Sequence, residues 1–198
     1  MQKAEYNIRF GSPNWIEDIL SNLKHKMFIA FGTTFFSVEG PMQAVKFDLA
    51  DARRLVGLGL SGIAAKRIGK DAEKLNVWLL DGKRYDYRSP EHMAFTEILI
   101  REKIYQNEDV FFALLMTGDM DIIHDLGHPD SPTTSLRREE FVGILTRIRE
   151  ELREIRKEYL AIIENDYSVD VRSTSLKLEK IRSVQAEKAR KKYILKVG

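Results

Sequence analysis

Residues 89–106 read SPEHMAFTEILIREKIYQ, and this stretch decides the fold class. Ser89 can cap the free backbone N–H groups of a helix N-terminus, and Pro90 loses no hydrogen bond in a first turn. The sequence therefore predicts a strong helix that starts at this Ser-Pro-Glu triplet and runs to about Gln106.

Further helices are predicted on both sides of this one, from apolar side chains spaced three and four residues apart and from capping residues. They cover about 13–24 (capped by Ser12), 37–47 (capped by Ser37), 50–57, 61–68, 109–116 and 137–165, with a last helix running to about 195. Short strands are predicted within 27–36, and 78–87 resembles a hairpin around Asp81-Gly82. A loop is expected at 128–135. The fold class is mainly α with a few short strands.

Length and composition indicate one globular unit. The 198 residues are 43% hydrophobic and 31% charged, which is ordinary for a globular chain, and the length leaves room for one good core. We expect a domain at 1–153 and a helical, basic C-terminal extension at 154–198. The chain has no cysteine, which excludes disulfides, thiolate metal sites and a cysteine nucleophile. Neither a membrane span nor an apolar signal core is visible, so we expect a cytoplasmic protein.

The net charge of +2 conceals an asymmetry. Residues 171–198 contain nine lysines and arginines against two glutamates, a net +7, whereas the other 170 residues carry −5. Such a segment can contact the phosphates of nucleic acid, and it can equally be a solvated helix face or dock on the acidic body of its own chain.

A first candidate site lies in the predicted helix at 37–47. Glu39, Gln43 and Lys46 are spaced i, i+4 and i+7, so their side chains project from one face. A carboxylate, an amide and an amine together can serve a catalytic site, although a polar surface stripe has the same pattern.

A second candidate lies at the end of the predicted helix at 61–68, before Gly69. Lys66, Arg67 and Lys70 place three cations there, which can hold phosphate groups. Cations at a helix C-terminus also suit its dipole, with no ligand involved.

Four segments carry a family resemblance by their order and spacing. Their residues are Ser37, Glu39, Gln43, Lys46 and Phe47; Ala65, Lys66, Arg67, Gly69 and Lys70; Lys103, Gln106, Asn107, Leu114, Leu115, Thr117 and Gly118; Arg149 and Glu150. Over residues 28–153 this pattern resembles the NADAR (YbiA-like) family. The departures are one extra residue, Val38, after the first serine, and Lys70 in place of an arginine.

Two more positions follow from the resemblance. Tyr87 occupies the place of the family's tryptophan before the long middle helix. Asp130 matches an aspartate that the family follows with Trp-Gly, a dipeptide that this chain lacks, and His124 replaces an earlier glutamate.

The resemblance implies a mainly helical fold and hydrolysis of an N-glycosidic bond to a phosphorylated ribose, without a cofactor. The implied substrates are ribosylaminopyrimidine phosphates or ADP-ribose attached to guanine in nucleic acid. Glu39 and Lys46 are then the catalytic residues. The substrate-binding residues are Gln43, Lys66, Arg67, Lys70, Tyr87 and Asp130.

Two other functions remain open at this point. The run at 121–129 contains His124-Asp125, which resembles the signature of HD-domain metal-dependent phosphohydrolases, with His92 as a further metal ligand. A non-enzymatic protein that binds nucleotides or nucleic acid is the third reading.

Overall fold

The structure is a computed structural model that describes residues 5–70, 77–80, 83–86, 88–131 and 134–165. The helices are α1 (Trp15–Leu20), α2 (Glu39–Ala44), α3 (Ala52–Leu58), α4 (Gly62–Ile68), α5 (Pro90–Gln106), α6 (Glu108–Met116) and α7 (Arg138–Asn165). The strands are β1 (Glu5–Asn7), β2 (Phe28–Ala30), β3 (Thr33–Phe35), β4 (Val77–Leu80), β5 (Lys83–Asp86) and β6 (Asp121–Ile123). No described helix has the length and apolarity that a membrane crossing requires. The predicted fold class, mainly helical with few short strands, is confirmed.

Helix α5 is the centre of the fold. It packs against β2 and α6, while α6 packs against α1 and α7. Leu99 and Ile104 of α5 lie in one apolar core with Leu114 of α6 and Ile148 and Leu152 of α7. Ser89 caps α5 as predicted, because its Oγ accepts the N–H of His92 at 3.3 Å.

The described part of the chain contains three two-stranded sheets. The predicted strands at 27–36 form the antiparallel pair β2–β3, and β4–β5 is the antiparallel hairpin predicted at 78–87. The parallel pair β1–β6, in which Tyr6 faces Ile122, was not predicted. Each of its strands has three residues and its partner is more than 100 residues away, so neither leaves a periodic signal in the sequence.

Two predicted helices are shorter in the structure. The N-terminal one is capped by Asn14, whose side chain accepts the N–H of Ile16, and not by Ser12, whose hydroxyl donates to Glu17. Helix α2 ends at Ala44 because the next backbone N–H groups, at Lys46 and Phe47, bond three residues back and tighten the chain. The residue before α2 is Val38, whose side chain makes no cap bond, but Ser37 Oγ accepts the N–H of Gly40 at 3.0 Å and so satisfies one free N–H group of the first turn.

Helix α7 runs without a break through the expected domain boundary between residues 153 and 154. The predicted last helix, the break at 165–175 and the basic segment 171–198 lie outside the described residues.

Candidate functional site

A hydrogen-bonded chain of side chains connects the three predicted residues of the α2 segment. Gln43 Nε2 donates to Glu39 Oε1 at 2.7 Å, and Lys46 Nζ donates to Gln43 Oε1 at 2.6 Å. Glu39 and Gln43 are buried, while Lys46 is partly exposed. The amide of Gln43 is thereby oriented, with its N–H toward the carboxylate and its oxygen toward the amine. The structure therefore brings all three residues together.

Gly69, at the C-terminal end of α4, contacts the hydrogen-bonded group formed by Glu39, Gln43 and Lys46. A Cβ atom built on Gly69 would lie 1.6 Å from Gln43 Oε1, so the α4 C-terminus touches the amide with no room for a side chain. Buried Ala65 lies on the inner side of α4, whereas Lys66, Arg67 and Lys70 are exposed. The three predicted phosphate ligands therefore sit beside the α2 chain with open access to solvent.

His92, in the first turn of α5, lies within the electrostatic reach of Lys46. Burial, together with the positive charges of Arg88 and Lys46, lowers the pKa of His92 to about 4. His92 is 2% exposed, and with this pKa its imidazole is neutral at pH 7. Burial also lowers the pKa of Lys46, and the nearby carboxylate of Glu39 partly opposes this effect.

Asp130 lies at another place, the N-terminal end of α7. Its carboxylate accepts the backbone N–H of Arg138 at 3.0 Å and faces the guanidinium of the same residue. Arg138 and Asp130 line an open cavity of about 540 Å³ with Ser131, Arg137 and Glu139. Asp130 therefore holds the start of α7, and its role toward a substrate stays a prediction. Tyr87 lies outside the described residues.

The HD-type alternative finds no support in the geometry. His124 follows strand β6 instead of lying on a helix; its Nδ1 meets the carbonyl oxygen of Ile8, and its ring packs edge-on against Phe141. Asp125 pairs with Arg138 at 3.1 Å. Within the described ranges, no three His, Cys, Asp or Glu side chains come together as metal ligands, so His92, His124 and Asp125 do not form a metal site there.

Lys103 and Gln106, from the third of the four segments that resemble the family, support the elements next to the site. Lys103 is 2% exposed, and its Nζ donates to the carbonyls of Ile19 and Ser21 at 2.9 and 2.7 Å. These bonds hold the end of α1. Gln106 pairs with both the N–H and the C=O of Ile29, at 2.8 and 2.7 Å, and so occupies the free edge of β2. Because β2 and β3 lead directly into α2, these bonds hold the start of the segment that carries Glu39, Gln43 and Lys46.

Sequence reasoning missed two residues at this place. His92 was considered only as a metal ligand, although the Ser-Pro-Glu start of α5 already placed it in the first helical turn. Arg88, which reaches the Thr134 carbonyl at 3.5 Å and the Glu140 carboxylate, adopts a positive φ of 68° that no sequence pattern indicates.

Comparisons with known proteins identify the family and the fold of this chain. The family model described as Bacteriophage protein GP30.3 matches residues 14–150, which include α1 to α6 and the first half of α7. The chain belongs to this family.

A solved structure shows the same fold. The NMR structure of the E. coli protein YbiA superimposes with a TM-score of 0.58 at 20% identity, over 80% of this chain and 90% of that one. The resemblance to the NADAR (YbiA-like) family that the motifs predicted is thereby confirmed at the level of fold. No curated protein matches the chain in sequence.

Proposed function

We propose that this GP30.3-family chain hydrolyses the N-glycosidic bond between a base and a phosphorylated ribose. The substrate is of the ADP-ribose or ribosylaminopyrimidine phosphate type, and ADP-ribosylated guanine in nucleic acid is one such compound. The observation that carries the proposal is the chain Glu39–Gln43–Lys46, in which a buried carboxylate is bonded through an amide to an amine of lowered pKa.

The chemistry of the bond needs these groups. Breaking a C1–N bond builds positive charge on the ribose, which a carboxylate such as Glu39 stabilises, and the same carboxylate can activate water. The leaving base needs a proton as the bond breaks.

Lys46 offers a second route through a covalent intermediate. The Lys46 ammonium first loses a proton to water, which its lowered pKa favours, and the neutral amine can then donate one N–H to Gln43 and keep its lone pair for attack on C1. The C1–N bond then breaks with its electron pair going to the base, which takes up the proton lost by the amine. Opening of the sugar ring gives a Schiff base, and water releases the ribose and restores Lys46.

In the proposed complex, the ribose lies at the hydrogen-bonded side chains of Glu39, Gln43 and Lys46, and the phosphates lie at the cations of α4. The exposed Lys66, Arg67 and Lys70 supply positive charge for phosphates, and the contact of Gly69 with Gln43 supports this role, because it brings the end of α4 close to Gln43. A cytoplasmic location and the absence of a cofactor remain predictions from the sequence.

A substrate panel tests the proposal. The full chain is incubated with ADP-ribosylated guanine DNA, ADP-ribose, NAD and a ribosylaminopyrimidine phosphate, with and without chelator. Release of free base, insensitive to chelator, is the expected result, and borohydride trapping of a sugar on Lys46 distinguishes the Schiff-base route from water activated by Glu39. Metal-dependent phosphate release would support the HD-type reading, and tight binding without turnover would support a binding protein.

A further inference from the structure

An exposed aromatic ring stands at the tip of the β2–β3 hairpin. Phe31 lies flat on the ring of Phe95, with centroids 5.3 Å apart and planes inclined by 18°. Phe95 is 3% exposed, whereas Phe31 is 47% exposed. One face of the outer ring is therefore covered, and the opposite face is open.

The backbone under this ring is in a conformation that phenylalanine disfavours. Ala30 pairs with Thr33, so Phe31 and Gly32 form a two-residue hairpin loop, with φ of 51° and 70°. Such loops favour Asn-Gly, and a bulky residue at the first position is strained. Among the described residues, Phe31 and Arg88 are the non-glycine residues with positive φ, and both adjoin the N-terminal half of α5. Strained residues of this kind concentrate at functional sites.

The position of the ring relative to the candidate site is defined by α5. Phe95 follows His92 by three residues, so both lie on one face of the helix, about 4.5 Å apart along its axis. His92 in turn lies within the electrostatic reach of Lys46. Phe95 also belongs to the same apolar core as Met42 and Val45, the sequence neighbours of Gln43 and Lys46, so one core connects the Phe95–Phe31 stack to the candidate site.

We propose that the open face of Phe31 is the stacking platform for the base that leaves the ribose, an inference that rests on the proposed function. With phosphates at the α4 cations and C1 at Lys46, the base extends toward α5 and the hairpin. A planar aromatic surface suits any base, since every base has a π face, and this arrangement selects N-linked heterocycles over simple sugar phosphates.

Calorimetric binding of two small probes to the full chain tests the inference. GMP carries a base on C1 of a phosphorylated ribose, and ribose 5-phosphate lacks the base. Stacking on an aromatic ring is worth roughly five- to hundredfold in affinity. We expect Phe31→Leu to weaken GMP binding by about fivefold or more, Phe31→Trp to retain it, and ribose 5-phosphate to bind equally to all variants. Phe112→Leu is the matched control, because Phe112 is a 43% exposed aromatic on α6.

The outcomes separate this inference from the proposed function. Unchanged GMP affinity in Phe31→Leu, or equal weakening of both probes, would overturn the platform and leave the hydrolase proposal standing. The same holds if the wild-type chain binds both probes equally well. If it binds neither probe, the platform is overturned, and base release from the substrate panel decides separately whether the proposed function holds.

Discussion

Gln43 is the residue on which the site geometry depends. Its amide has one oxygen and one NH₂ group, and each is committed to a different partner, Lys46 and Glu39 respectively. A flipped or displaced amide would put an N–H against the Lys46 amine and an oxygen against the Glu39 carboxylate, and both contacts would be lost. The amine and the carboxylate are therefore coupled through one side chain.

Replacing Gly69 by alanine tests this coupling. The new Cβ would lie 1.6 Å from Gln43 Oε1, so the amide has to move, and we expect turnover to fall at least about tenfold while the fold survives. Gly59→Ala is the matched control, since the nearest atom to its Cβ would be the Val56 oxygen at 3.7 Å. The measurement is the rate of base release alongside a thermal melt. Full activity in Gly69→Ala would mean that the position of Gln43 is irrelevant to the reaction.

At the level of elements, the sequence predicts what is local and misses what is distant. Helix α5 was predicted to its ends because Ser89 and Pro90 carry a capping signal that needs no tertiary contact. The pair β1–β6 escaped prediction because three residues are too few for a period. The Lys103 motif was recognised by family resemblance, but its physical role depends on carbonyls more than 80 residues away along the chain.

The same distinction between local and distant contacts applies to the candidate site. The i, i+4, i+7 spacing predicted that Glu39, Gln43 and Lys46 share a face, and the six residues of α2 with the tighter turn that follows are enough to bring them together. The approach of Gly69, His92 and Phe31 depends on how α4, α5 and the hairpin pack, and no spacing in the sequence encodes that packing.

Lys103→Met tests the junction of α1 and α5. Burial lowers the pKa of Lys103 to about 7, and the neutral amine has two N–H groups for the two carbonyls that it meets. Methionine leaves both carbonyls buried without a donor, and we expect a loss of about 2–4 kcal/mol in the free energy of unfolding.

The same lysine predicts a pH dependence. Between its folded pKa near 7 and the unfolded value of 10.5, the unfolded chain binds more protons, so this group makes stability rise with pH. Urea unfolding at pH 7 and pH 9.5 should therefore give a larger difference between wild type and Lys103→Met at the higher pH. A difference that stays constant would mean that Lys103 remains charged in the fold.

At the scale of the whole molecule, charge is unevenly distributed along the chain. The proposed site lies between α2, α4 and α5, within the part of the chain that carries −5, and the +7 segment begins after residue 170. If the substrate is a modified base in nucleic acid, the basic segment adds phosphate contacts that carry no sequence information.

Truncation after Asp170 tests that role. We expect the salt dependence of DNA binding to become shallower, because fewer counterions are released, while hydrolysis of a small substrate is unchanged. Binding at several salt concentrations and a thermal melt provide the measurement. A large drop in melting temperature with an unchanged salt slope would show that the segment stabilises the fold and does not contact DNA.

Base release by Glu39→Gln and Lys46→Met, on whichever substrate of the panel the wild-type chain cleaves, tests the central claim most directly. Both changes preserve side-chain size, and Lys46→Met removes a charge that burial disfavours, so the variants should melt near the wild-type temperature. Lys157→Met, on the exposed face of α7, is the control for lysine removal. The account predicts a loss of at least about a hundredfold in each site variant and none in the control. Folded variants that both retain wild-type turnover would contradict it.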